Sequence, residues 1–251
     1  MKHSKGDTKR QASIRDRLIK KSKEEYGDKY ITKILTILNP ESKLIDIGCG
    51  TAHIIRKIAE IVQNVFLIGL DISPAMLKLA KKNTKGFTNI GLVQGDGLKL
   101  PLQGAVVDIV INRLADYSPP DVYRVLKKGG YFFEYGLGPD ADKEIREFFP
   151  DRYEEENFFL PEDPDNWKKE VRNNIKEFGF CHIRIEDYKI RDYYKDKEEI
   201  MDLIEMVPLL KRFDREKDSK KIDEFVERYK EKRGIGITWH YYILEARKPK
   251  R

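Results

Sequence analysis

The stretch Leu44-Ile45-Asp46-Ile47-Gly48-Cys49-Gly50-Thr51-Ala52 carries the first readable chemistry of the chain. Apolar, β-favouring residues run into two glycines and then into a helix-forming segment. Glycine lets the backbone come close to a ligand, and a helix N-terminus offers N–H groups that have no partner within the helix. Strand, glycine turn and helix in that order form a nucleotide-binding turn. A dinucleotide fingerprint needs small residues at its first, third and sixth positions. The sixth position here is His53, whose bulk argues against NAD or FAD. Asp46 places a carboxylate just before the first glycine, which suits a ligand carrying an ammonium better than one carrying a pyrophosphate.

Two more carboxylates stand at matching places. In Gly69-Leu70-Asp71-Ile72-Ser73-Pro74, Asp71 closes a second apolar run. A carboxylate there can accept both ribose hydroxyls of a nucleoside. Its bland alternative is a helix cap, a role Ser73 fills better. In Val93-Gln94-Gly95-Asp96-Gly97, Asp96 closes a third run and can accept from an adenine amino group; the alternative is a turn aspartate between glycines.

The elements that hold these residues can be read from periodicity. Ile31, Ile34, Leu35 and Leu38 predict a helix over 28–38, ended by Asn39-Pro40. Strands are expected at 43–47, 65–70, 90–94, 106–112 and 131–135. Helices are expected at 52–62, from Ser73-Pro74 through 82, and at 120–126. Strand and helix alternate from 43 to 135, which implies a mostly parallel sheet with helices on both faces. Beyond it, helices around Trp167–Phe178, Ile200–Val207 and Ile222–Tyr229 surround two further strands, at 180–187, or on to 194, and at 239–246.

Together these pieces resemble the class I S-adenosylmethionine-dependent methyltransferases, with the greatest likeness to the group that includes the ubiquinone/menaquinone and biotin-pathway methyltransferases. The resemblance rests on 44–52 (LIDIGCGTA), 68–80 (IGLDISPAMLKLA), 93–102 (VQGDGLKLPL), 107–111 (VDIVI) and 124–130 (RVLKKGG), in that order. It implies a doubly wound, seven-stranded, mostly parallel Rossmann-like sheet with helical cap insertions near 136–178 and 195–235, the last strand antiparallel. It implies a methyltransferase domain over 28–251 behind a basic arm and helix at 1–27, with S-adenosyl-L-methionine as cofactor. By resemblance Asp46, Gly48 and Gly50, with Cys49 in the same turn, hold the methionine end. Asp71 holds the ribose, Ile72 packs on the adenine, and Asp96 with Gly97 reads its edge. Asn112 faces the cofactor near the methyl group. Ala52 stands where the family has a third glycine, which implies helical backbone angles at that residue.

The acceptor side is less marked. The segment after the fourth strand is short, and carries Arg113, Asp116 and Tyr117 where the family commonly has a histidine pair. Asp116, Tyr117, Tyr135 and His240 are the candidates for a general base, should the nucleophile have a proton to lose. Ser118-Pro119-Pro120-Asp121 resembles the motif of amino-methylating nucleic-acid enzymes, but its aromatic position is Asp121, and prolines opening a short helix explain it. Phe148, Phe149, Tyr153, Phe158 and Phe159 fall in the excursion after the fifth strand, where an acceptor would bind; ordinary packing is the alternative. His240 between aromatic residues reads as a packed core histidine or as a lining of the acceptor site.

Composition bounds the partners. The chain has 251 residues, 40% of them hydrophobic and 37% charged, enough for a full core. Its net charge of +6 is uneven: residues 1–23 carry +7 and 246–251 carry +4, which leaves −5 on the body. The basic charge therefore marks the ends rather than a nucleic-acid-binding face. Two distant cysteines offer neither a disulfide framework nor a metal site. With no apolar run of membrane length and no secretory signal, the cytoplasm is the expected location. A small-molecule acceptor is the first expectation. An RNA acceptor held by the basic arm is the second, and an S-adenosylmethionine-binding protein without transferase activity the third. Oligomeric state leaves no mark in the sequence.

Overall fold

The computed structural model describes residues 8–21, 25–154 and 165–250. The chain forms two compact units. One comprises Ser4–Gly136, Lys168–Glu186 and Ile243–Arg251, the other Leu137–Trp167 and Asp187–Tyr242.

The first unit opens with helices α1 (Lys9–Lys21) and α2 (Glu25–Leu35). It continues through β1 (Lys43–Ile47), α3 (His53–Ile61), β2 (Phe66–Asp71), α4 (Pro74–Asn83), β3 (Ile90–Gln94), β4 (Val107–Arg113), α5 (Pro119–Val125) and β5 (Leu126–Leu137). β1 lies between β2 and β4, β3 flanks β2, and β5 flanks β4, every one of these pairs parallel. β1 and β4 are buried almost throughout, as their continuous apolar runs require of strands covered on both faces. The chain builds outward from β1 to β3 on one side and then from β4 to β5 on the other. The order therefore reverses between β1 and β4, and open α/β sheets bind ligands outside the strand ends at such a point.

Helix α7 (Trp167–Lys176) and strands β6 (Cys181–Tyr194) and β8 (Gly234–Arg247) complete the sheet, whose order is β3-β2-β1-β4-β5-β8-β6. Seven strands thus lie on the main path, as the resemblance implies. An eighth, β7 (Lys230–Glu231), is a correction to the seven-strand expectation: two residues pair antiparallel with the start of β8 across a tight turn. β5 also begins earlier than expected, at Leu126 rather than 131. The register slips between Val107 and Ile109, and Gly129, at φ 78°, gives the Lys127–Gly130 bulge its bend.

Lys9–Lys21 is a helix with Ala12 and Ile14 buried, and it packs on α4. Lys2 and Lys5 lie outside the described residues. Ser118-Pro119-Pro120 opens α5 as a helix start with proline in its first turn. Asp121 accepts from the Leu100 amide at 2.6 Å and pairs with Arg124, tying the loop after β3 to the helix.

The second unit also holds α6 (Lys143–Phe148), α8 (Lys197–Met206) and α9 (Ser219–Tyr229). Its core includes Ile145, Phe149, Tyr153, Leu203, Ile222 and Phe225. Phe148 sits edge-on to Phe149 and Phe225 at 4.8 and 5.3 Å. Phe148, Phe149 and Tyr153 are thus packing residues of this unit; Phe158 and Phe159 lie outside the described residues. His240 is 2% exposed. Its Nε2 is 3.0 Å from Asp187 Oδ2, the Asp140 amide donates to its Nδ1 at 3.3 Å, and Trp167 packs edge-on at 5.4 Å. That is a satisfied core histidine.

Candidate cofactor site

At the β1 end the chain turns sharply. The Gly48 and Cys49 amides both donate to the Leu70 carbonyl, at 2.8 and 2.9 Å, which anchors the turn on β2. Gly48 has φ 71°, and a Cβ on it would stand 2.2 Å from the Ala115 Cβ. Glycine is therefore required there twice over, by backbone and by space. Gly97 is required by space alone: its Cβ would meet the Asp116 carbonyl oxygen at 2.4 Å and an Ile47 methyl at 2.7 Å. The segment after β4 is thus folded down against both the glycine turn and the loop after β3.

Asn112 holds that segment. It is 1% exposed, and its Nδ2 donates to the Ile47 carbonyl at 3.3 Å and the Ala115 carbonyl at 3.1 Å. Both amide protons of Asn112 are thus committed to backbone carbonyls, which gives its Nδ2 a positioning role. Cys49 is likewise buried, its thiol pushed up by burial and by Asp46 and Asp71, so the turn uses its backbone rather than its sulfur.

Asp71 does more than its place at the end of β2 implies. Oδ2 accepts from the Gly50 amide and Oδ1 from the Ser73 amide, both at 2.8 Å. One carboxylate ties the glycine turn to the start of α4. Ile72, next along, is 42% exposed, an apolar side chain held beside the carboxylate. Asp96 is a turn aspartate, its Oδ1 accepting from the Leu98 amide at 2.8 Å. Among the described residues its Oδ2 takes no hydrogen bond.

Ala52 overturns an expectation. Its backbone is left-handed, φ 64° and ψ 28°, not helical. Left-handed angles cost a non-glycine residue about 1–2 kcal/mol. The Ala52 methyl is fully buried, which returns about 0.8 kcal/mol, and alanine also loses less chain entropy than glycine on folding. The terms nearly cancel, which explains why alanine stands where the family has glycine.

Electrostatically the turn is built for positive charge. Asp46, 2% exposed, has its carboxyl pushed up to about 8 by burial; Arg113 opposes the rise and the like charge of Asp71 adds to it. A buried carboxylate of this kind gains most from a cationic ligand. His53 is lowered to about 4, by burial first and then by Lys57, Arg113 and Arg56, and is neutral near pH 7. The set of Asp46, Asp71, Asp96 and exposed Ile72 fits a nucleoside that carries an ammonium, and it opposes a pyrophosphate.

Of the candidate bases, Tyr117 donates to Glu134 Oε2 at 2.8 Å. Tyr135 is fully buried, edge-on to Tyr30 at 5.5 Å. Asp116 is exposed, and His240 lies in the other unit. Sequence reasoning missed Glu134 and Tyr30. Glu134 was detectable as the one charge inside the apolar run Tyr131–Tyr135. Tyr30 left no signal: its hydroxyl donates to the Asn112 carbonyl near the end of β4 and to the Phe133 carbonyl within β5, a contact visible only in three dimensions. Among the described residues no group of His, Cys, Asp and Glu is arranged to hold a metal.

Fold and turn together are those of the class I methyltransferase family. Residues 38–207 match the model of a family described as a methyltransferase domain, and the chain belongs to that family. It is 26% identical over 179 residues to a malonyl-[acyl-carrier protein] O-methyltransferase of Methylococcus capsulatus, over 68% of this chain and 63% of that one. It is 38% identical over 97 residues to the demethylmenaquinone methyltransferase of Staphylococcus carnosus, over 36% of this chain and 40% of that one. The chain therefore spans less than two thirds of these relatives. Among solved structures, the YcgJ protein of Bacillus subtilis superposes with a TM-score of 0.61 at 19% identity, covering 89% of this chain and all of that one. A Haemonchus contortus phosphoethanolamine N-methyltransferase 2, in complex with S-adenosyl-L-methionine, superposes with a TM-score of 0.56 at 18% identity, covering 87% and 51%. These structural likenesses concern the fold.

Proposed function

We propose that the protein transfers the methyl group of S-adenosylmethionine to a small-molecule acceptor. The observation that carries this reading is the glycine turn with a buried carboxylate on it, Asp46, and a second carboxylate, Asp71, bonded across to the Gly50 amide. When bound, S-adenosylmethionine supplies a methyl group already activated by its sulfonium. The residues of this chain then have three tasks: to hold the nucleoside, to orient the amino-acid end, and to take a proton if the nucleophile has one.

Asp71 would hold the ribose hydroxyls, Ile72 would cover one face of the adenine, and Asp96 Oδ2 with Gly97 would meet the adenine edge. Asp46 would take the ammonium. Asn112 positions the segment from Ala115 to Tyr117 rather than touching the cofactor. Tyr117 and Glu134 form the best-placed acid–base pair: a proton accepted by the Tyr117 oxygen can pass to the Glu134 carboxylate, to which that hydroxyl already donates. The packing of α1 on α4, with Ala12 and Ile14 buried, gives the N-terminal helix a structural role, which favours a small molecule over RNA.

Incubation with methyl-labelled S-adenosylmethionine and a cell extract tests the reading, once the extract is separated into RNA, protein and small molecules. Label is expected in the small molecules. Label in RNA would make the N-terminal helix a phosphate-contacting element, and label nowhere would leave a cofactor-binding protein.

A pH dependence follows from Asp46. In the free protein its carboxyl titrates at about 8, whereas beside a bound ammonium it is ionised well below that. Binding then releases a proton below pH 8. Affinity for S-adenosylhomocysteine should rise from pH 6 to 8, by up to about tenfold per unit, and level off above 8. Asp46→Asn should flatten the profile; a profile equally steep in that variant would remove Asp46 as its source. The same elevation acts on folding with the opposite sense. The folded state keeps a proton that the unfolded chain gives up near 4, so this group's contribution to stability falls as pH rises from there through 8.

A further inference from the structure

Asn83 closes α4, and neither the cofactor contacts nor the acid–base pair involves it. Its side-chain amide has two protons, and both are committed. Nδ2 donates to Asp16 Oδ1 at 3.0 Å and to the Thr51 carbonyl at 3.1 Å. Asp16 is the only acidic residue of α1. Thr51 stands in the glycine turn between two left-handed residues, Gly50 at φ 54° and Ala52 at φ 64°. One amide thus bridges the N-terminal helix and the turn.

The peptide that joins Gly50 to Thr51 is thereby held from both ends. Asp71 takes the Gly50 amide on one side, and Asn83 takes the Thr51 carbonyl on the other. Thr51 is 2% exposed, so its carbonyl has no ready access to water if Asn83 lets go. The last torsion of an asparagine is soft. Asp16 fixes it: with one proton on Asp16, the other is aimed at Thr51. Docking of α1, with Ala12 and Ile14 buried, therefore sets the angle of an amide that sets the turn.

We propose that α1 is a positioning element of the cofactor site, coupled to the glycine turn through the hydrogen bonds from Asn83 to Asp16 and Thr51, so that docking of the helix and binding at the turn favour one another. The proposal rests on the reading that this turn holds S-adenosylmethionine. Such coupling is reciprocal: the factor that docked α1 adds to the affinity of the turn is the factor that a bound ligand adds to the docking of α1.

Calorimetry and amide hydrogen exchange on the whole chain, with S-adenosylhomocysteine as the probe, test it. The variants are Asn83→Leu, Asp16→Ala and Asp16→Asn. Leucine keeps the volume of Asn83 and removes both protons, whereas asparagine at 16 removes the charge and keeps an acceptor. Asn83→Leu and Asp16→Ala should each weaken S-adenosylhomocysteine about tenfold, and Asp16→Asn should stay within about threefold of wild type. Saturating S-adenosylhomocysteine should slow exchange of the α1 amides about tenfold in the wild type and leave it unchanged in Asn83→Leu. A merely structural bond would lower stability without linking α1 to the ligand. Asp16 is only part-buried, so its variants carry the test if Asn83→Leu does not fold. Wild-type affinity in Asn83→Leu or Asp16→Ala would overturn the proposal, and so would α1 exchange that ignores the ligand in the wild type. Equal losses in Asp16→Asn and Asp16→Ala would trace the effect to charge and overturn it as well. If S-adenosylhomocysteine does not bind the wild-type protein at all, the methyl-donor reading itself fails, and this proposal with it.

Discussion

Asp71→Ala weakens binding of S-adenosylhomocysteine about a hundredfold, or about 2.7 kcal/mol, because hydrogen bonds from the ribose hydroxyls to an ionised oxygen are each worth roughly 1.5–3 kcal/mol and are not additive. It also costs stability, since the same carboxylate accepts the Gly50 and Ser73 amides. Two N–H groups left without an acceptor at a site 8% exposed should lower the unfolding free energy by about 2–4 kcal/mol. Both losses are measurable separately, by calorimetry at a temperature where the variant is folded and by denaturant titration. Asp71→Asn keeps one acceptor and should fall between. Affinity within threefold of wild type in the alanine variant would take Asp71 out of the site, and unchanged stability would show that the turn does not depend on it.

The second large effect is expected at Gly48. In Gly48→Ala the new methyl must find room where the Ala115 methyl stands 2.2 Å away, at a backbone angle of φ 71°. Overpacking costs about 1–3 kcal/mol and the left-handed backbone about 1–2 kcal/mol. A loss of about 2–5 kcal/mol is therefore expected, with at least a tenfold loss of cofactor affinity as the turn or the segment after β4 shifts. The two contributions can be separated. Ala115→Gly removes the methyl on the other side of the clash but not the backbone strain, so Gly48→Ala with Ala115→Gly should recover roughly half of the loss. A double-mutant cycle reads the coupling directly. No recovery would mean that the turn and the segment after β4 do not touch as described.

Much of this was legible in the chain. β1 and β3 have the bounds that their apolar runs and flanking glycines indicate, 43–47 and 90–94, and Ser73-Pro74 starts α4 with Ser73 Oγ accepting the Met76 amide. Continuous apolar strands separated by glycine turns and proline-led helices are local signals, and local signals survive folding. What was hidden depends on space. The double duty of Asp71 requires the turn and β2 to be brought together. The commitment of Asn112 to two carbonyls, and the pairing of Tyr117 with Glu134, join residues whose partners no spacing indicates. The left-handed Ala52 broke a rule that assigns such angles to glycine, at a place where burial of its methyl offsets the strain. Within the basic arm and helix expected at 1–27, nine basic residues in the first 23 dominate the composition and hide which residues the helix buries, Ala12 and Ile14.

The central claim is that the turn after β1 recognises an ammonium-bearing nucleoside and not a dinucleotide. Titration calorimetry of the wild-type protein with S-adenosylhomocysteine and with NAD, at pH 8 where Asp46 is able to ionise, tests it most directly. Saturable binding of S-adenosylhomocysteine with NAD at least a hundredfold weaker is the predicted result. Tighter binding of NAD would contradict the account.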